Sequence, residues 1–182
     1  MKKDNFFIVT GGPGMGKTTL INALTSQGFS CVPETGRDII RQQVAASGNA
    51  LPWGDREAFA RLMFEQSVAD FRQRAGLTAP VFFDRGIADT IGYLELCELP
   101  VPDDMREAAT LYRFNTKVFL TPPWKAIYEQ DSERKQSFAE AVRTYDQLAT
   151  TYQQLQYELV VLPTATIPER VCFILSAVGL AG

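Results

Sequence analysis

The stretch Asn5-Phe6-Phe7-Ile8-Val9-Thr10-Gly11-Gly12-Pro13-Gly14-Met15-Gly16-Lys17-Thr18-Thr19-Leu20 decides the fold. Its first part, Asn5 to Thr10, is a short apolar run that ends at glycines, which predicts a strand buried on both faces. From Thr18 to Ser26, Leu20, Ile21 and Leu24 fall on one side of a helix. Between strand and helix, Gly11 to Thr18 has the pattern Gly-x-x-x-x-Gly-Lys-Thr. Such glycines let successive backbone N–H groups converge on an anion, and the helix that follows presents the positive end of its dipole. The strand before and the helix after turn a short motif into a structural expectation: a P-loop that holds a nucleoside triphosphate. Gly11, Gly12, Pro13, Gly14, Met15, Gly16, Lys17, Thr18 and Thr19 are its expected nucleotide-binding residues, with Lys17 on the β- and γ-phosphates and the Thr18 hydroxyl on Mg²⁺.

Working outward, four more short apolar runs alternate with helical patterns. Phe29–Pro33, Pro80–Asp84, Lys117–Leu120 and Leu159–Leu162 read as strands. Glu34–Ala46 reads as a helix with Ile39, Ile40 and Val44 inward; Asp55–Ala75 is a longer one with Phe64, Val68 and Phe71 at helical spacing. Ile87–Cys97, Asp103–Arg113 and Ile167–Val178 follow, the last with Val171, Ile174, Leu175 and Val178 inward. A stripe of Phe138, Ala141, Val142, Tyr145, Leu148, Ala149, Tyr152 and Leu155 predicts a helix opened by a capping box at Ser137 and Glu140. Five apolar strands alternating with helices imply a parallel sheet covered on both faces. The 182 residues suit one domain with a sizeable core, read as residues 1–182.

Composition sets further bounds. Apolar residues make up 46% and charged residues 21%, as in a folded globular chain. No run of about eighteen apolar residues is available for a membrane span. The opening Met1-Lys2-Lys3-Asp4-Asn5 carries no secretory signal, so a cytoplasmic location is expected. The net charge of −3 gives no support for a long electrostatic track on nucleic acid, and no nucleic-acid partner is expected. With no histidine, base catalysis falls to carboxylates. Cys31, Cys97 and Cys172 have neither metal-ligand nor disulfide spacing and read as reduced, mostly buried thiols.

Residues at strand ends are the candidates for chemistry, because ligands of open α/β sheets bind at the carboxyl edge. Asp84 ends its strand and is expected near Mg²⁺, with capping of the helix at Ile87 as the alternative. Arg85 can grip a second substrate, or else sit in a surface ion pair. Glu34, with Arg37 and Arg41 one and two turns on, can form an acceptor site; the competing reading is a helix N-terminal Glu favoured by the dipole. Arg134 and Lys135 lie in a charged segment, Trp124 to Gln136, that reads either as a loop closing over the triphosphate or as a solvated face. Trp124 and Tyr128, four residues apart, read as core contacts, with packing against a ligand as the alternative.

Taken with the glycine loop, Pro33-Glu34-Thr35-Gly36-Arg37, Phe83-Asp84-Arg85-Gly86-Ile87-Ala88-Asp89, Pro122-Pro123-Trp124 with Ile127-Tyr128, and Asp131-Ser132-Glu133-Arg134 resemble one family. It is the small AAA-labelled ATPase-like domain family related to the nicotinamide riboside kinase domain of NadR, and the resemblance covers nearly the whole chain. It implies a P-loop three-layer sandwich with sheet order 2-3-1-4-5 and ATP with Mg²⁺ as ligands. By similarity to deoxynucleoside and nucleotide kinases, Glu34 or Asp84 would be the base, Arg85 would hold the acceptor beside Arg37, and Arg134 would belong to a lid.

Two functions fit these features. One is a kinase moving the γ-phosphoryl group of ATP to a small-molecule acceptor, with Lys17, Asp84, Glu34 and Arg134 as its catalytic set. The other is a nucleotide-dependent switch or binding module. A ring-forming mechanical ATPase lacks its second helical domain, since only one helical pattern follows the fifth strand. A guanine-specific switch is disfavoured because Asn115-Thr116-Lys117-Val118 is not the Asn-Lys-x-Asp reader.

Overall fold

The computed structural model describes residues 1–128 and 137–180. Strand β1 (Phe6–Gly11) is buried along its whole length and leads through the glycine loop into α1 (Lys17–Ser26). Then come β2 (Ser30–Val32), α2 (Thr35–Ala45), α3 (Arg56–Arg74), β3 (Val81–Asp84), α4 (Ile87–Leu96) and α5 (Asp103–Leu111). The chain continues through β4 (Lys117–Thr121), a 3-10 turn at Lys125–Ile127, α6 (Phe138–Gln154), β5 (Glu158–Val161) and α7 (Ile167–Ala177).

All strand pairs are parallel, in the order β2-β3-β1-β4-β5. This is the order that the resemblance implied. In register, Val9 faces Asp84 across β1 and β3, and Gly11 faces Thr121 across β1 and β4. Every strand therefore delivers its carboxyl end to one edge of the sheet, where the glycine loop starts.

Alternation along the strands sorts the core into two layers. Phe6, Ile8, Val81 and Phe83 face α3, α4, α5 and α6, and pack with Phe71, Ile91, Met105 and Tyr152. Phe7, Val9, Phe82 and Phe119 face the other way, onto Leu20, Ile21 and Leu24 of α1 and Val171 and Ile174 of α7. Phe6, Phe71, Phe83 and Phe114 form an aromatic cluster whose edge contacts include Phe71 to Phe114 at 5.0 Å.

The expected capping box forms: Ser137 N–H donates to Glu140 Oε2 at 2.6 Å and Glu140 N–H donates to Ser137 Oγ at 3.2 Å. Two sequence expectations fail on burial. Val44 is exposed, because the small cluster under α2 takes in Ile39, Ile40, Leu51 and Phe59 and stops short of it. Cys172 is exposed on the outer side of α7, and Cys31 and Cys97 are only half-buried; all three are free thiols. β5 closes the sheet as an edge strand: Val160 packs on the α1/α7 layer and Leu159 on the opposite one, each half-buried, while Glu158 and Val161 are exposed.

Candidate functional site

The glycine loop is shaped by close approaches that only glycine permits. Gly11 has φ of 134°, and a Cβ there would lie 2.2 Å from Thr121 Oγ1 on the neighbouring strand. At Gly12 a Cβ would lie 2.4 Å from the Ala141 carbonyl oxygen of α6. The loop is thus pressed between β4 and the start of α6. Lys17 opens α1, is buried, and donates from Nζ to the Gly12 carbonyl at 2.7 Å, so its ammonium lies over the loop. Thr18 and Thr19 are exposed at the first turn of α1, and Met15 is buried with its Sδ accepting from Trp124 N–H at 3.3 Å.

Beside the loop, the ends of β2 and β3 supply Glu34, Asp84 and Arg85. Arg85 Nε donates to Glu34 Oε1 at 3.0 Å, while its Nη1 donates to the Gly11 carbonyl at 3.2 Å and to Asp89 Oδ1 at 3.1 Å. Burial alone would push the Arg85 guanidinium down in pKa; Glu34, Asp89 and Asp84 around it outweigh that and hold it above its ordinary value. Arg85 has φ of 77°, the left-handed region that a side chain rarely occupies, so the backbone is turned to aim this group. The surface ion-pair reading of Arg85 fails, because the pair with Glu34 is largely shut off from solvent.

Asp89 is the hub that sequence reasoning left without a role. It accepts from Thr10 Oγ1, from the Tyr152 hydroxyl and from Gly86 N–H, in addition to Arg85. The Gly86 bond makes Asp89, at N3 of α4, the acceptor for the N-cap N–H, and the Asp84 carboxylate makes no hydrogen bond to the helix. The signal was present in the sequence: an acidic residue three positions after Gly86. Burial, with the Asp89 carboxylate next to it, raises the Tyr152 phenol well above its ordinary pKa. One carboxylate thereby ties β1, α4 and α6 to the arginine.

A cavity of about 820 Å³ opens from this cluster between α2, α3, α4 and α6. Pro13 of the glycine loop lines it, as do Glu34, Asp84 and Arg85, and further out Phe59 and Tyr93. Its size suits a metabolite-sized molecule. Arg37 sits on α2 outside the residues that line this cavity, and Arg41 is exposed and pairs with Asp38 at 3.5 Å. Glu34 occupies the N-cap position of α2 without a side-chain capping bond and turns to Arg85 instead. Tyr128 packs edge-on against Phe138 at 5.4 Å, both half-buried and outside the core clusters, so the core-contact expectation is not met for this ring. Asp131, Glu133, Arg134 and Lys135 lie outside the described residues.

A family model described as an AAA domain matches residues 6–170. The chain belongs to this AAA domain family. Among solved structures, deoxyadenosine kinase from M. mycoides superposes with a TM-score of 0.68 at 11% identity, over 96% of this chain and 98% of that one. NadR in complex with NR gives 0.66 at 20% identity over 95% of this chain, which corresponds to 50% of the NadR chain. Thymidylate kinase from Ehrlichia chaffeensis gives 0.63 at 15% identity, over 94% and 97%. No curated protein matches the sequence. At these identities the likeness is one of fold: this member of the family has the P-loop architecture of nucleoside and nucleotide kinases. Among the described residues no helix is long and apolar enough to cross a membrane.

Proposed function

We propose that the chain is an ATP-dependent phosphotransferase that moves the γ-phosphoryl group of ATP to a hydroxyl of a small molecule held in the cavity. One observation carries this reading: the glycine loop and the acceptor-sized cavity share a wall, since Pro13 lines the same space as Glu34, Asp84 and Arg85. A phosphate held on the loop would thus have its transferable end at the mouth of a space large enough for a second substrate. Catalysis of this kind is positioning together with charge neutralisation.

Each residue then has a task. The backbone of Gly11 to Gly16 and the N–H groups of Lys17, Thr18 and Thr19 cradle the phosphates, and Lys17 leaves the Gly12 carbonyl to meet the β- and γ-oxygens. Glu34, on the cavity wall, accepts the proton of the attacking hydroxyl. Arg85 fixes the Glu34 carboxylate by its Nε bond and presents the remaining guanidinium edge toward the acceptor. Asp89 holds Arg85 in that pose.

Thr18 and Asp84 would hold Mg²⁺. The donors are a hydroxyl and one carboxylate, and among the described residues no group of three or more acidic or cysteine side chains forms a dedicated cage. A sparse set of hard oxygens suits an ion that keeps several waters and takes its other ligands from phosphates. When bound, it neutralises charge on the β- and γ-phosphates.

The experiment is turnover of ATP and Mg²⁺ against a panel of hydroxyl-bearing metabolites, with phosphorylated product identified by mass spectrometry. Acceptor-dependent ADP release with a matching product is the expected result. ADP release that no acceptor raises above the water background would overturn the reading in favour of a hydrolytic switch.

A further inference from the structure

Arg170, on the first turns of α7, is 1% exposed and is the largest side chain in the fully buried set. Buried guanidinium groups ordinarily face a carboxylate, because removing an unpaired charge from water is costly. This one has no acidic partner among the described residues. Among the described residues its buried Nε has no hydrogen-bond partner, and Nη1 reaches only the Met15 carbonyl, at 3.5 Å, the outer limit of a hydrogen bond. The location is specific. A Cβ built on Gly16 would lie 3.1 Å from Arg170 Nη1 and 3.2 Å from Ile127 Cδ1, so the guanidinium sits against the glycine loop where Ile127 of the 3-10 turn also approaches.

We propose that Arg170 is a second cation of the phosphate site, an unbalanced positive charge placed against Met15 and Gly16 whose counter-charge is the bound polyphosphate. It would act on the phosphates from its place against the loop, at the Met15 carbonyl and beside Gly16. Its site excludes water on nearly all sides, so its field is screened less than that of a surface lysine. The helix that carries it also fixes its distance. α7 packs on α1 through Val171 and Ile174, in the same layer as Leu20, Ile21 and Leu24, so the charge keeps its place whether or not an anion is bound. The guanidinium is desolvated with no acidic partner among the described residues, and that burial holds its pKa below the ordinary arginine value. This inference rests on the reading of Gly11 to Thr18 as a polyphosphate site and adds to it a residue more than a hundred positions away.

The test uses inorganic tripolyphosphate, pyrophosphate and phosphate as probes, with binding by calorimetry and thermal unfolding with and without each anion. Arg170→Met is expected to unfold, without anion, at the same or a higher temperature than the wild type. It is also expected to lose about tenfold or more in tripolyphosphate affinity, with a smaller loss for pyrophosphate and the least for phosphate. Arg170→Lys is expected to keep most of the affinity. Undiminished tripolyphosphate binding by Arg170→Met overturns the proposal, as does an equal loss for all three anions. If neither Arg170→Met nor Arg170→Gln folds with tripolyphosphate present, the guanidinium is a structural group and the proposal is likewise overturned. A wild type that binds none of the three anions sinks the reading of the loop itself, a result separable from all of these.

Discussion

Arg85 Nε donates to Glu34 Oε1 at 3.0 Å, joining the residue after β3 to the residue after β2 at the wall of the cavity. The bond gives Glu34 one fixed orientation, and Arg85 gains its own from Asp89 and from the Gly11 carbonyl. In the proposed kinase reading, where Glu34 takes the proton of the attacking hydroxyl, this relay of contacts would aim it.

Glu34→Gln keeps an amide oxygen for Arg85 and removes the basic carboxylate. Triphosphate affinity is expected to stay within about twofold of wild type while kcat falls about 10²- to 10⁴-fold. Calorimetry and steady-state kinetics check the two halves. Wild-type kcat in this variant would transfer the base role away from Glu34, with Asp84 next in line.

Arg85→Met strands the Glu34 and Asp89 carboxylates in a largely buried setting. Loss of one partner from such a cluster is expected to cost about 3–5 kcal/mol of stability. Urea unfolding measures it, and the double variant with Glu34→Gln should recover part of the loss if the pair is coupled. Strict additivity of the two single effects would deny the coupling.

Asp89→Asn exchanges one accepting oxygen for an amide N–H₂ that must face two donors, either Thr10 and Arg85 or Tyr152 and Gly86 N–H. The expected cost is about 2–4 kcal/mol. A rise in KM for the acceptor is also expected, since Arg85 loses its second anchor. Stability within about half a kcal/mol of wild type would show that the hub is dispensable.

Lys17→Ala removes the ammonium that lies over the loop and is expected to abolish triphosphate binding in calorimetry while leaving the urea midpoint within about 1 kcal/mol of wild type. Gly12→Ala should do the reverse in part. Its Cβ would sit 2.4 Å from the Ala141 carbonyl, so α6 must move; a drop in melting temperature should accompany the loss of binding. A Gly12→Ala protein as stable as wild type would mean that the loop and α6 can separate without cost.

What lay within a few residues was legible in the sequence. The glycine loop with its strand and helix, the five apolar runs and the Ser137–Glu140 box each depend on neighbours at fixed offsets, where backbone geometry dictates the partner. The sheet order came from resemblance, since parallel strands with helical crossovers leave several orders open. Burial at the ends of elements was read less well: Val44 follows the helical period of α2 but has nothing above it, because periodicity fixes a direction and not a cover.

The long-range contacts of the candidate site were decided by tertiary structure. Glu34 and Arg85 are 51 positions apart, Asp89 meets Tyr152 across 63 and Thr10 across 79, and Arg170 comes to Met15 across 155. No local rule selects among the 18 cationic and 21 acidic residues of the chain. Selection required the parallel register that brings the ends of β1, β2 and β3 to one edge, and the packing of α7 on α1 that pulls a charged residue out of water. Secondary structure is written in short-range backbone chemistry; which charges meet is written in how the finished layers stack.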